Sequence, residues 1–364
     1  MTEIADSLTT ESELTGDNSV IRVVGLKKHF FAKLGFWQTV RGKKVLIRAV
    51  DGVTLDILRG EIFGLAGESG CGKTTVGRTM LRLTEPTSGT IQFKGQDITR
   101  ISKSATRALR SKMQIVFQDP YESINPRMSV FDVIAEGVRI NKNELGVKSD
   151  EAIEELVVRA LNLVQLVPPR QFLQRYPHEL SGGQRQRVAI ARALVLQPDF
   201  IVADEPVSML DVSIRAEVLN VMTDLRDKLG LSFLFITHDL ALAKHSTDKL
   251  GIMYLGKIVE TGKSEDVIDE PFHPYTQALI AAIPVPDPDG RKVMVFAGGE
   301  VPSAVNVPPG CRFHPRCPYA KELCKSSEPE LRQIEGEHLV ACHFYEEAYS
   351  NYLARLKKKP SITV

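Results

Sequence analysis

The chain has 364 residues, of which 43% are hydrophobic and 25% are charged. This composition is typical of a soluble globular protein with a substantial core, and it excludes wholesale disorder, a collagen-like repeat and a disulfide miniprotein. The chain has 46 lysines and arginines and 45 aspartates and glutamates, a net charge of +1. It therefore lacks the excess of positive charge that would indicate a nucleic-acid partner.

The N-terminal residues and the apolar runs predict the location of the chain. Residues 1–19 carry five acidic and no basic side chains, the opposite of a signal peptide, and we expect a disordered tail over 1–20. The longest apolar candidate, 278–286, contains two prolines and is far shorter than the ~20 residues of a membrane-spanning helix. We therefore expect a cytosolic chain that reaches a membrane only through partners.

Strand-like apolar runs alternate with helical stretches from residue 21 to about residue 262, which predicts an α/β fold. The runs at 61–66, 200–203 and 231–236 end in polar residues. We expect them to be buried parallel strands whose carboxyl ends carry function. Residues 151–165 have an apolar stripe at helical spacing and predict a helix.

A glycine-rich segment follows the first of these strands. Residues 67–74, GESGCGKT, match the pattern G-x4-G-K-[ST], whose glycines let backbone N–H groups face phosphate oxygens at a helix N-terminus. Lys73 is predicted to neutralise β- and γ-phosphate charge and Thr74 to bind magnesium, whereas Cys71 is a small spacer. The predicted nucleotide-binding residues of this segment are Gly67, Ser69, Gly70, Cys71, Gly72, Lys73, Thr74 and Thr75.

Two adjacent carboxylates end the strand FIVADE at 200–205. Asp204 is predicted to hold the magnesium shell and Glu205 to polarise the attacking water. Acidic residues commonly end strands, so this pair indicates a nucleotide site only in combination with the phosphate loop upstream.

The segment LSGGQ at 180–184 resembles the signature motif of ATP-binding cassette (ABC) ATPases. Other motifs of that family match in chain order. Gln118 resembles the Q-loop glutamine, Asp211 belongs to a D-loop-like SMLD whose second residue is more often alanine, and His238 resembles the switch histidine. The resemblance covers about 21–330.

This resemblance implies a phosphate-loop ABC ATPase fold, with a RecA-like core, an antiparallel β subdomain and a helical subdomain over about 119–187. The nucleotide-binding domain as a whole is expected over 21–270. The helical subdomain would hold the groove that receives a permease helix, and Gln118 would link that groove to magnesium and the γ-phosphate.

The resemblance also implies a division of roles between two ATPase subunits. Lys73, Glu205 and His238 would act on the chain's own nucleotide, and Phe30 is expected to stack on its adenine, with Phe31 as the alternative. The signature loop would cover the γ-phosphate bound by a partner subunit. Its residues are Ser181, Gly182, Gly183 and Gln184.

The character of the chain changes after residue 270, where 12 of the 20 prolines and four of the five cysteines lie. We expect a separate C-terminal extension over 271–364, remote from the phosphate loop. Its cysteines are spaced C-x5-C-x6-C-x17-C, which indicates a metal before disulfides in a cytosolic protein but lacks the C-x2-C pairs of zinc sites. The spacing leaves an iron–sulfur cluster, zinc and free thiols open. The four residues are Cys311, Cys317, Cys324 and Cys342.

The segments FHPYT at 272–276 and GCRFHPRCP at 310–318 resemble the C-terminal extension of oligopeptide/dipeptide-type ABC ATPases. That resemblance implies a 4Fe-4S cluster on the four thiolates, with zinc as the alternative ligand. His314 and His343 flank the cysteines and are expected to be surface residues.

The same resemblance implies the function and the partners. The chain would hydrolyse ATP to power import of oligopeptides or dipeptides, at the cytoplasmic face of the membrane. It would pair with a homologous second ATPase and bind two permease subunits. An extracytoplasmic solute-binding protein would deliver the peptide to this complex. An oligosaccharide or nickel importer is the alternative, and a soluble non-transport ABC ATPase is a more distant one.

Overall fold

The computed structural model describes residues 18–33, 44–283, 298 and 302–357. Residues 1–17 of the predicted tail lie outside this range, whereas Ser19 and Val20 already belong to the first strand. A four-stranded antiparallel sheet occupies the N-terminal part of the described chain. Its strands are β1 (Ser19–Lys33), β2 (Lys44–Leu58), β4 (Ser88–Phe93) and β5 (Gln96–Asp97), in the spatial order β2-β1-β4-β5.

A second sheet, eight-stranded within the described residues, forms the centre of the molecule. Its strands are β3 (Ile62–Ala66), β6 (Met113–Val116), β7 (Phe200–Asp204), β8 (Ser232–Thr237), β9 (Lys249–Tyr254), β10 (Lys257–Lys263), β11 (Arg332–Glu335) and β12 (His338–Val340). The spatial order is β11-β12-β10-β9-β3-β8-β7-β6, and β9, β3, β8, β7 and β6 are parallel. The three predicted parallel strands are therefore confirmed, and β3, β7 and β8 are buried at every residue.

Helices connect the strands of this sheet and pack against several of them. They are α1 (Lys73–Met80), α2 (Lys103–Arg110), α3 (Pro120–Ser123), α4 (Val130–Ile140), α5 (Lys142–Leu145), α6 (Asp150–Leu163), α7 (Gly182–Leu194), α8 (Val212–Leu229), α9 (Leu240–Ser246), α10 (Ser264–Asp269), α11 (Pro274–Ala281), α12 (Glu322–Ser326) and α13 (Tyr345–Lys357). Short 3-10 helices lie at Pro169–Gln171 and Pro177–Glu179. None of the helices in the described ranges is long and apolar enough to cross a membrane.

The chain between β6 and β7 is helical. The helix predicted over 151–165 is α6, and its N-terminus is capped by Ser149, whose Oγ accepts a hydrogen bond from the Ala152 N–H at 3.2 Å. Ile153, Val157 and Leu161 of this helix are buried in one apolar cluster with residues of α4 and α7. The period of the apolar stripe therefore places these three helices around a common core.

The C-terminal extension joins the central sheet, although its composition predicts a separate module. β12 pairs antiparallel with β10, with Glu260 opposite Val340. The fully buried Glu260 carboxylate accepts hydrogen bonds from the N–H groups of Phe272 and His273, and His338 Nε2 lies 2.9 Å from it. The physical reason is the edge of β10, whose unpaired backbone groups are satisfied by the added strands.

Candidate functional site

The loop between β3 and α1 is held in a conformation that requires glycine. Gly67 has φ 151° and Gly72 has φ 111°. A Cβ atom would lie 2.2 Å from the Met253 carbonyl oxygen at Gly67, and 2.1 Å from the Ala49 carbonyl oxygen at Gly72. Both contacts are too short for a side chain, so the two glycines let the loop pass directly over neighbouring backbone before it enters the helix.

Lys73 lies at the centre of this loop and is 5% exposed. Its Nζ donates hydrogen bonds to the carbonyl oxygens of Gly67 at 2.7 Å and Glu68 at 3.1 Å. Cys71 lies behind the loop within the apolar core, where burial raises the pKa of its thiol. The ammonium is thus enclosed by the loop, with the Cys71 Sγ 3.9 Å away, in the position where it would meet a phosphate chain.

A hydrogen bond between Thr74 and Asp204 joins the phosphate-loop end of α1 to the end of β7. Thr74 Oγ1 donates to Asp204 Oδ1 at 2.9 Å, although 130 residues separate them. Asp204 is 4% exposed at the end of β7, and burial raises the pKa of its carboxyl. A hydroxyl and a carboxylate at a phosphate loop are hard oxygen ligands of the kind that Mg²⁺ prefers.

Glu205 follows directly and lies between two other polar side chains. Gln118 Nε2 donates to Glu205 Oε2 at 3.1 Å, and His238 Nδ1 lies 3.1 Å from the same oxygen. The backbone of Glu205 has φ 48°, a left-handed conformation that is uncommon for a residue with a side chain. The three residues follow β6, β7 and β8, so adjacent parallel strands bring their carboxyl ends to one place.

These groups open into one cleft of about 510 Å³, within the size range of small-molecule sites. Nine of the predicted residues line it, together with Ile47, Ala49 and Ala304, which sequence patterns do not mark. Ala304 belongs to the C-terminal extension, and its carbonyl oxygen accepts a hydrogen bond from the Arg48 N–H at 3.1 Å. The predicted residues that line the cleft are Ser69, Gly70, Gly72, Lys73, Thr74, Thr75, Gln118, Glu205 and His238.

Phe30 lies on β1 directly opposite Ile47 of β2. It is 40% exposed, and Lys28 Nζ lies 4.9 Å from its ring centroid. Ile47 lines the cleft, and the Phe30 ring is not among the described residues that do. Stacking of Phe30 on adenine stays a prediction.

The signature segment lies at the N-terminus of α7 and, within the described chain, contributes nothing to this cleft. Ser181 Oγ accepts from the Gln184 N–H at 3.3 Å and Gln184 Oε1 accepts from the Ser181 N–H at 3.1 Å, a reciprocal cap that stiffens the first turn. Gly183 lets α7 approach α8, because a Cβ would lie 2.5 Å from Ile214 Cγ2. Asp211, the N-cap of α8, is exposed and makes no side-chain capping bond.

The four cysteines of the extension line one small buried cavity and form no disulfide. The Cys311 N–H donates to the Cys324 carbonyl oxygen at 2.8 Å. Burial raises the pKa of the Cys317 and Cys342 thiols to about 12 each. His314 Nδ1 lies 2.9 Å from the Cys311 carbonyl oxygen. The cavity thus collects thiols whose deprotonation needs a compensating positive charge.

The extension also contacts the phosphate loop. Arg316 donates two hydrogen bonds to the Glu68 carboxylate, at 2.8 and 3.0 Å, and the Tyr275 hydroxyl accepts from the Glu68 N–H at 2.8 Å. The expectation that the loop lies remote from this segment is therefore wrong. Sequence patterns do not show the contact, because Glu68 occupies a variable position of the loop motif and lies 248 residues from Arg316.

Known proteins are similar to this chain along most of its length. Residues 50–208 match the ABC transporter family, and residues 259–324 match the family described as oligopeptide/dipeptide transporter, C-terminal region. The oligopeptide transport ATP-binding protein AppF of Bacillus subtilis is 46% identical over 330 residues, which is 90% of this chain and 98% of that protein. The dipeptide transport ATP-binding protein DppF of Haemophilus influenzae is 44% identical over 333 residues, 91% and 98% of the two chains.

Solved structures share the fold of the nucleotide-binding part. A dimeric ATP-binding cassette in a post-hydrolysis state, bound to ADP and Pi, superimposes with a TM-score of 0.58 at 25% identity. That match covers 67% of this chain and 98% of the cassette. CbiO1 of Clostridium perfringens, part of an ABC transporter complex, gives a TM-score of 0.58 at 26% identity over 70% and 92% of the two chains.

Proposed function

Because the chain belongs to the oligopeptide/dipeptide branch of the ABC transporter ATP-binding proteins, we propose that it is the ATP-hydrolysing subunit of a peptide importer. The observation that carries this function is the meeting of Glu205, Gln118 and His238 beside the phosphate loop. A nucleoside triphosphate in this cleft would lie between the Lys73 ammonium and the Glu205 carboxylate, which would polarise the attacking water.

The phosphate loop and the end of β7 would together bind Mg-ATP. The phosphates would take the place of the Gly67 and Glu68 carbonyl oxygens as partners of the Lys73 ammonium, whose positive charge they match. Thr74 and Asp204 would hold Mg²⁺, with Gln118 as a further ligand. The first turn of α1 adds its N–H groups to the phosphate site.

Hydrolysis then depends on Glu205. Its carboxylate would accept a proton from water as that water attacks the γ-phosphate, and the hydrogen bond from His238 would orient it. Gln118 donates a hydrogen bond to the same carboxylate and lies just before α3, where the helical region begins. If nucleotide binding or hydrolysis changes this hydrogen bond, the change would reach the helical region through Gln118. This supports a role for Gln118 in coupling.

The signature loop supports a dimer. Ser181, Gly182 and Gly183 lie outside the chain's own cleft at a capped helix N-terminus, which would bind the γ-phosphate of a second ATPase subunit. ATP then binds the closed dimer better than the open one, and this differential affinity drives closure. We assign 21–270 to the nucleotide-binding domain, about 119–187 to its permease-binding helical subdomain and 271–364 to the extension.

The remaining partners follow from the same proposal. The ATPase pair docks on two permease subunits at the cytoplasmic face of the membrane, and a solute-binding protein delivers the peptide from outside. A non-identical second ATPase is the expected partner of this chain.

We also propose that the extension holds a 4Fe-4S cluster through Cys311, Cys317, Cys324 and Cys342. In the described part of the chain no three His, Cys, Asp or Glu side chains converge closely enough for one metal ion, although the four thiols line one cavity. Each thiolate of a cubane cluster binds a different iron, so its ligands lie further apart than those of a single zinc ion. The cavity that the four thiols share supports the cluster proposal, with zinc as the alternative ligand, and the bound group would serve as a structural crosslink.

Transport by the native complex tests the function. The tagged chain is purified from its source cells together with its partner subunits and reconstituted in vesicles with the solute-binding protein. ATP-dependent uptake of labelled di- and oligopeptides is the expected result. Uptake of oligosaccharides or Ni²⁺ instead would leave the ATPase role intact and reassign the cargo. Purification of an active native ATPase that carries no membrane subunit would contradict the importer role.

A further inference from the structure

Glu68, the second residue of the phosphate loop, has every polar group engaged. Its N–H donates to the Tyr275 hydroxyl at 2.8 Å, and its carbonyl oxygen accepts from Lys73 Nζ at 3.1 Å. Its carboxylate accepts both terminal nitrogens of Arg316, at 2.8 and 3.0 Å. Two of these three partners, Tyr275 and Arg316, belong to the extension and not to the nucleotide-binding domain.

The Arg316 side chain is 9% exposed and that of Glu68 is 28% exposed, so water screens this ion pair only partly. The guanidinium also lies beside an aromatic pair, 5.9 Å from the Tyr254 centroid and 5.8 Å from that of Phe313, whose rings pack edge-on against each other. A bidentate pair whose cation also packs against aromatic rings of the protein has a defined geometry, so it restrains the Glu68 side chain.

The charge of Glu68 is unfavourable for a site that binds a polyanion. The carbonyl oxygen of the same residue contacts the ammonium of Lys73, so the carboxylate is borne on the loop that would wrap the phosphates. Without Arg316 this negative charge would oppose the binding of ATP in a partly buried place, where charges interact more strongly than in water. With Arg316 in place the loop presents the positive charge of Lys73 alone.

We propose that Arg316 and Tyr275 are positioning residues for the phosphate loop, so that the cysteine-rich extension controls ATP affinity. Arg316 neutralises the Glu68 carboxylate, and Tyr275 holds the Glu68 backbone so that its carbonyl meets Lys73. This inference rests on the proposed ATPase function and adds a role for the extension. We call the contacts of Arg316 and Tyr275 with Glu68 the clamp. Arg316 lies between Cys311 and Cys317 in the chain, so a group that orders those thiols would also order the clamp.

A double-mutant cycle tests the proposal on the full chain, with Mg-ATP binding measured by calorimetry and folding checked by thermal unfolding. Arg316→Ala is expected to weaken ATP binding about tenfold or more, as for loss of a charge-assisted bidentate bond. In the Glu68→Gln background the same change is expected to have no further effect, because no charge is left to neutralise. Tyr275→Phe, which removes only the acceptor of the Glu68 N–H, is expected to weaken binding several-fold.

Lys321→Ala is the matched control, because it removes an ion pair with Glu347 inside the extension and leaves Glu68 untouched. In the assembled ATPase the expected change for Arg316→Ala is a raised KM for ATP with little change in kcat. A purely structural role would lower both stability and kcat in both backgrounds.

The inference is overturned if Arg316→Ala binds ATP like the wild type, or if it weakens binding equally with and without the Glu68 charge. Should Arg316→Ala fail to fold, Arg316→Gln carries the same test, because it retains most of the packing volume. Lys73→Ala in the same assay separates this failure from failure of the proposed function. If Lys73→Ala also leaves ATP binding unchanged, the ATPase site itself is misassigned.

Discussion

His238 Nδ1 lies 3.1 Å from Oε2 of Glu205, and Gln118 Nε2 reaches the same oxygen at the same distance. Two side chains therefore orient the Glu205 carboxylate. Because His238 is exposed and Glu205 is mostly shielded, the pair lies at the boundary between the cleft and solvent. A water molecule entering from that side would meet the Glu205 carboxylate, as the proposed hydrolysis requires.

Glu205→Gln is expected to abolish turnover while ATP still binds. The amide keeps the shape of the site but does not accept a proton from water, so the loss of ATPase activity should be on the order of 10²–10⁴-fold. Steady-state hydrolysis by the assembled transporter is the measurement, with ATP binding as the control. Near-normal hydrolysis would refute the role of Glu205.

Lys73→Ala is expected to weaken nucleotide binding itself, by tenfold or more, because the phosphates would lose the ammonium at the loop. Equilibrium binding of Mg-ATP to the purified chain measures this effect. Lys228→Ala is the control, since Lys228 forms an exposed ion pair with Asp224 on α8. Equal affinities for the two variants would contradict the interpretation of the loop.

Gln118→Ala is expected to uncouple transport from hydrolysis more than it weakens ATP binding. The side chain links Glu205 to the start of α3, so its loss removes a connection without removing a phosphate contact. The ratio of peptide imported to ATP hydrolysed should fall. Gln96→Ala, which changes an exposed glutamine on β5, is the comparison, and a wild-type ratio in Gln118→Ala would argue against coupling.

Ser181→Arg is expected to leave ATP binding by the isolated chain unchanged and to reduce hydrolysis by the assembled complex at least tenfold. The reason is that Ser181 lies outside the chain's own cleft and would face the nucleotide of a partner. Loss of the cap costs about 1 kcal/mol of stability. Ser149→Arg removes an equivalent cap on α6 and controls for this cost. Weakened binding in the isolated Ser181→Arg chain would contradict the two-subunit arrangement.

The cysteines predict a measurable colour. Protein purified without oxygen should be brown, with broad absorbance at roughly 400 nm and about four irons per chain, and Cys317→Ser should bleach it. Protease sensitivity should rise first after residue 271, because ligation is coupled to folding. Colourless protein with stoichiometric zinc would favour the alternative metal.

Because Arg316 joins this segment to Glu68, Cys317→Ser should also weaken ATP binding, in contrast to the independence that the sequence predicts. Binding in this variant is compared with that of Lys321→Ala, which removes an ion pair with Glu347 inside the extension. Loss of iron with unchanged ATP affinity would show that the clamp does not depend on the cluster.

The candidate nucleotide site could be proposed from sequence because each of its motifs is short and marked by its own residue pattern. A phosphate loop needs glycines, a lysine and a hydroxyl within eight positions, and strand ends place Gln118, Asp204, Glu205 and His238 at one edge of a parallel sheet. The strands at 62–66, 200–204 and 232–237 were predictable for the same reason, since burial on both faces leaves a continuous apolar run.

The position of the extension was decided only by tertiary structure. Composition marks a change at residue 270, but it does not specify that β12 pairs with β10, that Ala304 reaches the nucleotide cleft or that Arg316 binds Glu68. Each of these contacts joins residues far apart in the chain, and no period or spacing encodes the partner. They form because the edge of β10 and the charge of Glu68 are satisfied only when the chain returns to them.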